Sequence, residues 1–256
     1  MKTIISVKNE YITKLQKLLN KKDRLKEQLF LVEGLHLVEE AKPYLVSVLA
    51  NDEKLLKKYS CDTYLVTDEI IKKLSTTVNP QPIIGVVKML NHNVEILNDI
   101  LKSPKSRILI LDNLNDPGNL GTIIRTSAGL GMDAIIMSHD TVDIYNDKVL
   151  RSTQGSIFKL PIVKTDLPTV IKLLQKNNFK CYGTSLQKAY SIGDVPKHNK
   201  YAIIVGNEAN GVRENILSLM DYNIKWPMKH NVESFNVGIA AGIIMYEFLR
   251  EDIFQK

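Results

Sequence analysis

Arg107-Ile108-Leu109-Ile110-Leu111-Asp112 is a near-continuous apolar run of the kind that a parallel sheet buries on both faces. It leads through the turn Asn115-Asp116-Pro117-Gly118-Asn119-Leu120-Gly121-Thr122 into a helical stretch over 123–130, closed by Gly131, and then into a second apolar strand over 134–137. Strand, helix and strand in this order make a βαβ unit. Toward the C-terminus the alternation continues, with helices expected at 149–158, 167–177 and 212–220 and strands at 179–184, 202–205 and 224–226. The expectation is an α/β fold whose parallel sheet binds a ligand at the C-terminal ends of its strands.

The last of these strands stops where Pro227 removes a backbone donor and fixes φ. A polar stretch follows, Met228-Lys229-His230-Asn231-Val232-Glu233, and runs into Ser234-Phe235-Asn236. Val237, Ile239, Ala240, Ala241, Ile243, Ile244, Phe248 and Leu249 then describe a helix apolar on more than one face, with Ser234 expected to accept from a first-turn amide. Gly238 and Gly242 each lower the propensity of that helix by roughly 1 kcal/mol relative to Ala. Their presence points to another backbone packed close, in the same chain or across a dimer.

Upstream of Arg107, residues 1–90 read as a separate small α/β domain and 91–106, with Pro104, as a short helix plus linker. Ile12, Leu15, Leu18 and Leu19 recur at helical spacing, so one amphipathic helix is expected over 7–27. Strands are expected at 29–32, 46–50, 64–67 and 83–88, with helical stretches at 38–41, 54–59 and 69–74 between them. The net charge of +6 is concentrated at this end. The first 26 residues hold Lys2, Lys8, Lys14, Lys17, Lys21, Lys22, Arg24 and Lys26 against Glu10 and Asp23, and the rest of the chain is neutral. A basic first helix on a neutral body suggests contact with a polyanion, since nucleic-acid affinity comes largely from phosphate neutralisation. A solvated helix face is the plainer reading of the same lysines.

The 256 residues, 44% of them apolar, are enough for one large or two modest domains. No apolar run has the length of a membrane span and the N-terminus turns polar too early for a signal peptide, so a cytoplasmic protein is expected. Cys61 and Cys181 stand far apart and no Cys-x-x-Cys or His-Glu-x-x-His occurs, so neither a disulfide framework nor a metal site is expected. The usual nucleotide motifs also fail. Gly206-Asn-Glu-Ala-Asn-Gly211 has the glycine spacing of a P-loop but Val212 where a lysine is needed, and no strand is followed by Gly-x-Gly-x-x-Gly. Gly118-Asn-Leu-Gly121 has the form of a KH-domain loop but follows a buried strand and Asp116-Pro117.

What remains is three loops, each at the end of a strand. Asn115-Asp-Pro-Gly-Asn-Leu-Gly-Thr-Ile-Ile-Arg125, Ile204-Val-Gly-Asn-Glu-Ala-Asn-Gly211, and Trp226-Pro-Met through Glu233-Ser-Phe-Asn-Val237 resemble, in order and spacing, the three motifs of the SPOUT RNA methyltransferases of the TrmH (SpoU) type. The resemblance covers 107–256. Residues 1–90 are similar, more loosely, to the L30e-like RNA-binding domain that precedes the catalytic domain in members acting on ribosomal RNA. The resemblance implies a dimeric α/β domain with a C-terminal trefoil knot, bound S-adenosylmethionine, and methyl transfer to a ribose 2′-hydroxyl of RNA. Large-subunit ribosomal RNA is the substrate it favours. Transfer RNA is the nearest alternative, and a non-catalytic RNA-binding or ribosome-assembly factor is an alternative of another class.

Carried over position by position, the resemblance makes Asn119, Arg125, Glu208, Ser234 and Asn236 the catalytic polar set. Thr184, Gly206, Trp226, Met228 and Phe235 become the cofactor pocket. Trp226 stands where the family more often has an aliphatic residue, Phe235 where it has leucine, and His230 where a glycine is frequent. Lys17, Lys21, Lys22, Arg24 and Arg151 are the expected RNA contacts. Taken singly, Asn119 and Ser234 also read as helix caps, Asn236 as the partner of a buried carbonyl and Glu208 as a surface charge; it is their joint register that favours chemistry. Positioning the ribose oxygen against the methyl group is the larger effect, with roughly 7–11 kcal/mol available from a near-attack geometry, against about 10²–10⁴-fold from a general base. Arg125, whose guanidinium hardly deprotonates, suits phosphate binding and alkoxide stabilisation rather than proton removal.

Overall fold

The computed structural model describes residues 1–229 and 234–254, with side chains described to Arg250. The backbone divides into two compact units, one of residues 1–90 with 143–158 and the other of 91–142 with 159–256.

In chain order the first unit holds β1 (Lys2–Ile4), α1 (Glu10–Lys17), α2 (Lys21–Glu27), β2 (Leu29–Glu33), α3 (Leu35–Glu40), β3 (Leu45–Ala50), α4 (Glu53–Leu56), β4 (Asp62–Val66), α5 (Asp68–Leu74) and β5 (Ile83–Lys88). The second opens with α6 (Asn98–Lys102), β6 (Ser106–Asp112), α7 (Pro117–Gly129) and β7 (Ala134–Met137). The chain then returns to the first unit for α8 (Asp147–Thr153) and a 3-10 turn, Ser156–Phe158. The second unit is completed by β8 (Ile162–Lys164), α9 (Leu167–Lys176), β9 (Lys180–Thr184), β10 (Tyr190–Ser191), β11 (Lys200–Gly206), α10 (Glu214–Leu217), β12 (Tyr222–Lys225) and α11 (Val237–Phe254).

The first unit is a mixed five-stranded sheet in the order β1-β4-β3-β5-β2, parallel from β1 to β3 and antiparallel around β5. Ile12, Leu15 and Leu18 pack with Leu49, Val66, Ile70, Ile71 and Ile84 into its core. The single helix expected over 7–27 is two: Asn9 caps α1 by accepting the Tyr11 amide at 2.9 Å, and α1 ends at Lys17 with Leu18 as its C-cap. The break has a physical filler, because the guanidinium of Arg24 donates at 2.9 Å to the terminal carbonyls of Leu18 and Leu19.

The second unit is a seven-stranded sheet in the order β10-β12-β9-β11-β6-β7-β8 with every pair parallel, as the alternating pattern implies. Its core is Ile108, Ile110, Ala134, Ile136, Val163, Ala202 and Ile204 from the strands with Val170, Ile171, Leu174 and Ile216 from the helices and Phe179 from the turn before β9. Strands β1, β8 and β10 stand outside the expected set, being two or three residues long and too brief to show a period. β11 lies between β9 and β6, so the C-terminal ends of β12, β9, β11 and β6 stand side by side.

The starts of α7 and α11 differ from the sequence reading. Helix α7 begins at Pro117 rather than at 123, with Asp116 as its cap accepting the Asn119 amide at 2.7 Å, so Gly118, Asn119 and Gly121 are helical. Pro suits the first helical position because its missing donor has no partner there in any case. Helix α11 is capped by Asn236 rather than by Ser234: Asn236 Oδ1 accepts from Gly238 at 2.9 Å and from Ile239 at 3.3 Å. The element packed against Gly238 and Gly242 is α7 of the same chain, and what a Cβ would meet there is side chain rather than backbone: Thr122 Cγ2 at 3.6 Å and Thr126 Cγ2 at 3.5 Å.

Candidate active site

The catalytic set expected from the sequence is only partly one constellation. Glu208 and Asn119 meet at the end of β11 and the start of α7, and Asn236 joins them from the start of α11. The Asn119 side-chain amide donates to Glu208 Oε1 at 3.2 Å, and the Asn236 amide donates to Asn119 Oδ1 at 2.9 Å. Because Asn236 Oδ1 is committed to the first amides of α11, its NH2 must face Asn119, and because Asn119 Oδ1 receives it, the Asn119 NH2 must face Glu208. The three loops are thereby tied together by one directed chain of hydrogen bonds, the kind of arrangement that leaves each amide a single orientation.

Glu208 is the anionic end of that chain. Its Oε1 also accepts the Asp116 amide at 3.1 Å and its Oε2 the Asn115 amide at 3.2 Å. Burial alone would push the carboxyl up, but the amides of Glu208 itself, Asp116 and Asn115, together with the Asn119 side chain, outweigh it and hold the group below the ordinary carboxylate range. Such a carboxylate is poorly suited to take up a proton and well suited to anchor the turn before α7.

Asn207, which stands outside the expected set, shapes the loop. It is buried; its side-chain NH2 donates to Asn113 O at 2.8 Å while its Oδ1 accepts from Ala209 and Asn210 at 3.0 and 3.1 Å. The signal that could have found it is an asparagine directly after a buried strand, where an Asx turn is the common outcome.

Arg125 lies six residues beyond Asn119 on α7 and is exposed, and its side chain has no hydrogen-bond or ion-pair partner among the described residues. Ser234 is exposed two residues before the cap of α11. His230 and Asn231 through Glu233 lie outside the described residues.

The expected pocket residues sit on neighbouring strand ends. Thr184 closes β9, Gly206 closes β11 and Trp226 follows β12, and these three strands are adjacent. Thr184 Oγ1 donates to Ile204 O at 3.0 Å, so its hydroxyl is spent on the sheet and its backbone is what it offers outward. At Gly206 the close approach is to the chain itself: a Cβ there would fall 2.1–2.3 Å from the backbone of Gly211 and Val212. Trp226 and Met228 are half-buried and Phe235 is exposed. Backbone groups at Thr184 and Gly206 and apolar side chains at Trp226, Met228 and Phe235 are the kinds of partner that a nucleoside carrying an amino-acid chain takes.

The expected RNA contacts belong to the first unit and differ among themselves. Lys17, Lys21 and Lys22 are exposed. Arg24 is a correction: it is 8% exposed, and besides the Leu18 and Leu19 carbonyls it binds Asp143 Oδ2 at 2.7 Å, so its charge is used inside the unit. Arg151 is half-buried and donates to Asp147 Oδ2 at 2.7 Å and to Thr76 Oγ1 at 3.3 Å. Among the described residues no group of three or more His, Cys, Asp or Glu could hold a metal ion, and no helix is long and apolar enough to cross a membrane.

The profile of the SpoU rRNA Methylase family matches residues 106–246, and that of the MRM3-like substrate binding domain matches 9–85. The chain is 36% identical over 252 residues to the 23S rRNA (guanosine(2553)-2'-O)-methyltransferase RlmP of Bacillus subtilis, covering 96% of this chain and 98% of that one. An AdoMet-bound rRNA methyltransferase from Sinorhizobium meliloti superposes with a TM-score of 0.88 at 26% identity over 97% of each chain. The SpoU methyltransferase AviRb from Streptomyces viridochromogenes, in complex with AdoMet, shares the fold with a TM-score of 0.86 at 24% identity over 97% of this chain and 100% of its own. With a family profile over more than half its length and a relative of this identity along nearly all of it, the chain belongs to the SpoU rRNA methylase family.

Proposed function

We propose that this protein transfers the methyl group of S-adenosylmethionine to a ribose 2′-hydroxyl of large-subunit ribosomal RNA. The observation that carries the reading is the directed chain Glu208–Asn119–Asn236, which ties three loops together beside the C-terminal ends of adjacent parallel strands. That is where an open α/β sheet binds its ligand. Similarity along nearly the whole chain to an enzyme named for 2′-O-methylation of 23S rRNA supports the substrate class.

When bound, S-adenosylmethionine supplies an electrophilic methyl group. Thr184, Gly206, Trp226, Met228 and Phe235 would hold it through backbone groups and apolar contact. Arg125, exposed on α7, binds the phosphate beside the target ribose through its fork of donors and stabilises negative charge developing on the ribose oxygen. Asn119 and Asn236 fix the α7 and α11 loops in one arrangement, and Ser234 lies in the segment that leads into it. Glu208 acts as a permanent anion, holding the Asn115–Asn119 turn rather than accepting the hydroxyl proton. Lys17, Lys21, Lys22 and the half-buried Arg151 supply phosphate contacts in the first unit; Arg24 does not.

The active form is a homodimer built on α11, whose outer side carries Ile239 at 56% and Tyr246 at 42% exposure, seven residues and therefore two turns apart. Sedimentation of the purified protein as a monomer at micromolar concentration would remove this element. The trefoil knot and action in the cytoplasm, where ribosomes are, complete the proposal.

The test is to incubate the purified protein with methyl-labelled S-adenosylmethionine and total RNA from cells lacking its gene, then to count label in each size-separated RNA. Label in large-subunit rRNA is the expected result. Label confined to transfer RNA would overturn the substrate, and absence of S-adenosylmethionine binding in calorimetry would turn the reading toward a non-catalytic RNA-binding factor.

A further inference from the structure

The end of β6 carries a buried acid that the polar chain does not use. Asp112 is 0% exposed and terminates an otherwise apolar strand. Its Oδ2 accepts the backbone amide of Arg213 at 2.9 Å, and its Oδ1 accepts the Arg213 guanidinium. The other arm of that guanidinium donates to Asp140 Oδ2 at 3.0 Å, beyond the end of β7. A buried carboxylate without a cation is strongly unfavourable, so Asp112 fixes both the main chain and the head group of Arg213. Arg213 is also the residue before α10, and its side chain makes no cap bond to that helix.

The consequence reaches Glu208 through a short closed loop. Gly211 and Val212, the two residues before Arg213, lie directly against Gly206, which is in register with Asp112 across the β11–β6 pair. Asn207 and Gly211 exchange backbone hydrogen bonds at 3.0 and 2.9 Å, closing the loop at its base. Glu208 projects from that closed loop onto the Asn115 and Asp116 amides and Asn119. The end of β6 therefore acts on the loop twice: Asp112 holds the loop's exit, and the Asn115–Asn119 turn, which follows Asp112 in sequence, receives the Glu208 carboxylate.

We propose that Arg213, clamped between Asp112 and Asp140, is a positioning residue that seats the 206–213 loop so that Glu208 reaches the Asn115–Asn119 turn. The proposal rests on the methyl-transfer reading of the site. Arg213 is hydrogen-bonded to none of Asn119, Arg125, Ser234 or Asn236 among the described residues, so the route proposed for it runs through the 206–213 loop and Glu208.

The experiment compares wild type, Arg213→Ala, Arg213→Lys, Glu208→Gln and the Arg213→Ala/Glu208→Gln double variant. Turnover on ribosomal RNA, KM for S-adenosylmethionine and hydrogen exchange of the peptide spanning 113–120 are measured on the full chain. Arg213→Ala is expected to lower turnover about tenfold or more, Arg213→Lys to recover part of it, and Arg213→Ala to add less than about twofold once Glu208 is already Gln. Exchange over 113–120 should rise in Arg213→Ala as it does in Glu208→Gln. Wild-type turnover in Arg213→Ala, multiplicative losses in the double variant, or unchanged exchange would each overturn the proposal. Should Arg213→Ala fail to fold, Asp140→Asn removes only the charge of the half-exposed outer arm and carries the same cycle: its smaller loss must vanish in the Glu208→Gln background, and a loss that persists there overturns it. If wild type binds S-adenosylmethionine but methylates no RNA, the methyl-transfer reading falls while the exchange comparison still decides the role of Arg213.

Discussion

At Gly206 the space that a side chain would need is already filled by the backbone of Gly211 and Val212, at 2.1–2.3 Å from where a Cβ would stand. Gly206→Ala must therefore push the loop off β11, at about 1–3 kcal/mol or more of stability, and with it the end of the strand at the proposed cofactor pocket. A melting point and a calorimetric S-adenosylmethionine affinity both equal to wild type would show that the loop yields freely. Gly242 is the opposite case. Among the described residues a Cβ there meets only Thr126 Cγ2, at 3.5 Å, an ordinary van der Waals distance, so Gly242→Ala should stabilise α11 by about 0.5–1 kcal/mol, read as a higher urea midpoint. At Glu208 the sign of the pH effect follows from its lowered pKa. A carboxyl depressed on folding contributes stability that is fully present above the ordinary glutamate value near 4.5 and is lost as pH falls through the folded value. Glu208→Gln should therefore flatten the acid limb of a stability-versus-pH curve below about pH 4.5 while leaving its shape near neutrality; identical acid limbs would mean the anion contributes nothing.

Among the elements, the contrast that matters is between Arg24 and the lysines around it. The sequence shows a run of cations with helical spacing, and nothing in that run separates one that caps α1 and binds Asp143 from those that face solvent, because both partners are set by tertiary placement. Arg24→Ala should cost about 3 kcal/mol or more, as removal of one member of a buried pair does, seen in chemical unfolding. Replacing Lys17, Lys21 and Lys22 together by Ala should leave stability within about 1 kcal/mol and lower the slope of log affinity for RNA against log salt by about 0.7–0.9 for each phosphate that is no longer neutralised. An unchanged slope would make both helices purely structural. The same limit explains the helix starts. Asp116-Pro117 is a legible cap and first-turn signal, and taking it as part of a turn puts the start of α7 too late, whereas the choice between Ser234 and Asn236 as cap of α11 depends on which side chain is turned back by its neighbours. The parallel sheet is legible from apolar runs alone, and the pairing of Asn119, Glu208 and Asn236 is not, since nothing in spacing brings positions about ninety to a hundred and twenty residues apart together; motif resemblance supplies that.

Over the whole molecule, the chain crosses between its units in a way that no composition shift announces. The stretch Asp143–Phe158 lies in sequence within the region expected to be the catalytic domain, yet it packs with the first unit. Tyr145 lies 4.5 Å from Phe30 between ring centroids, and Phe158 stacks on Tyr44 at 5.6 Å. The Tyr145 hydroxyl accepts the Leu90 amide at 2.8 Å, and Asp143 pairs with buried Arg24. Gly155, at φ +81°, lies so close to Glu40 that a Cβ would fall 2.5 Å from its side chain. A fragment ending at residue 90 therefore loses a face of its core and the partner of a buried cation together. Fragment 1–90 should show a broadened thermal transition and bind a hydrophobic dye, because Phe30 is left uncovered and Arg24 unpaired. Adding a synthetic peptide of residues 143–158 should restore a cooperative transition at a midpoint that rises with peptide concentration, as mass action requires of a partner that binds only the folded state. A fragment that melts as cooperatively as the full chain without the peptide, or one that the peptide does not shift, would mean that 1–90 folds as a self-sufficient domain and that the returning segment only rests on it.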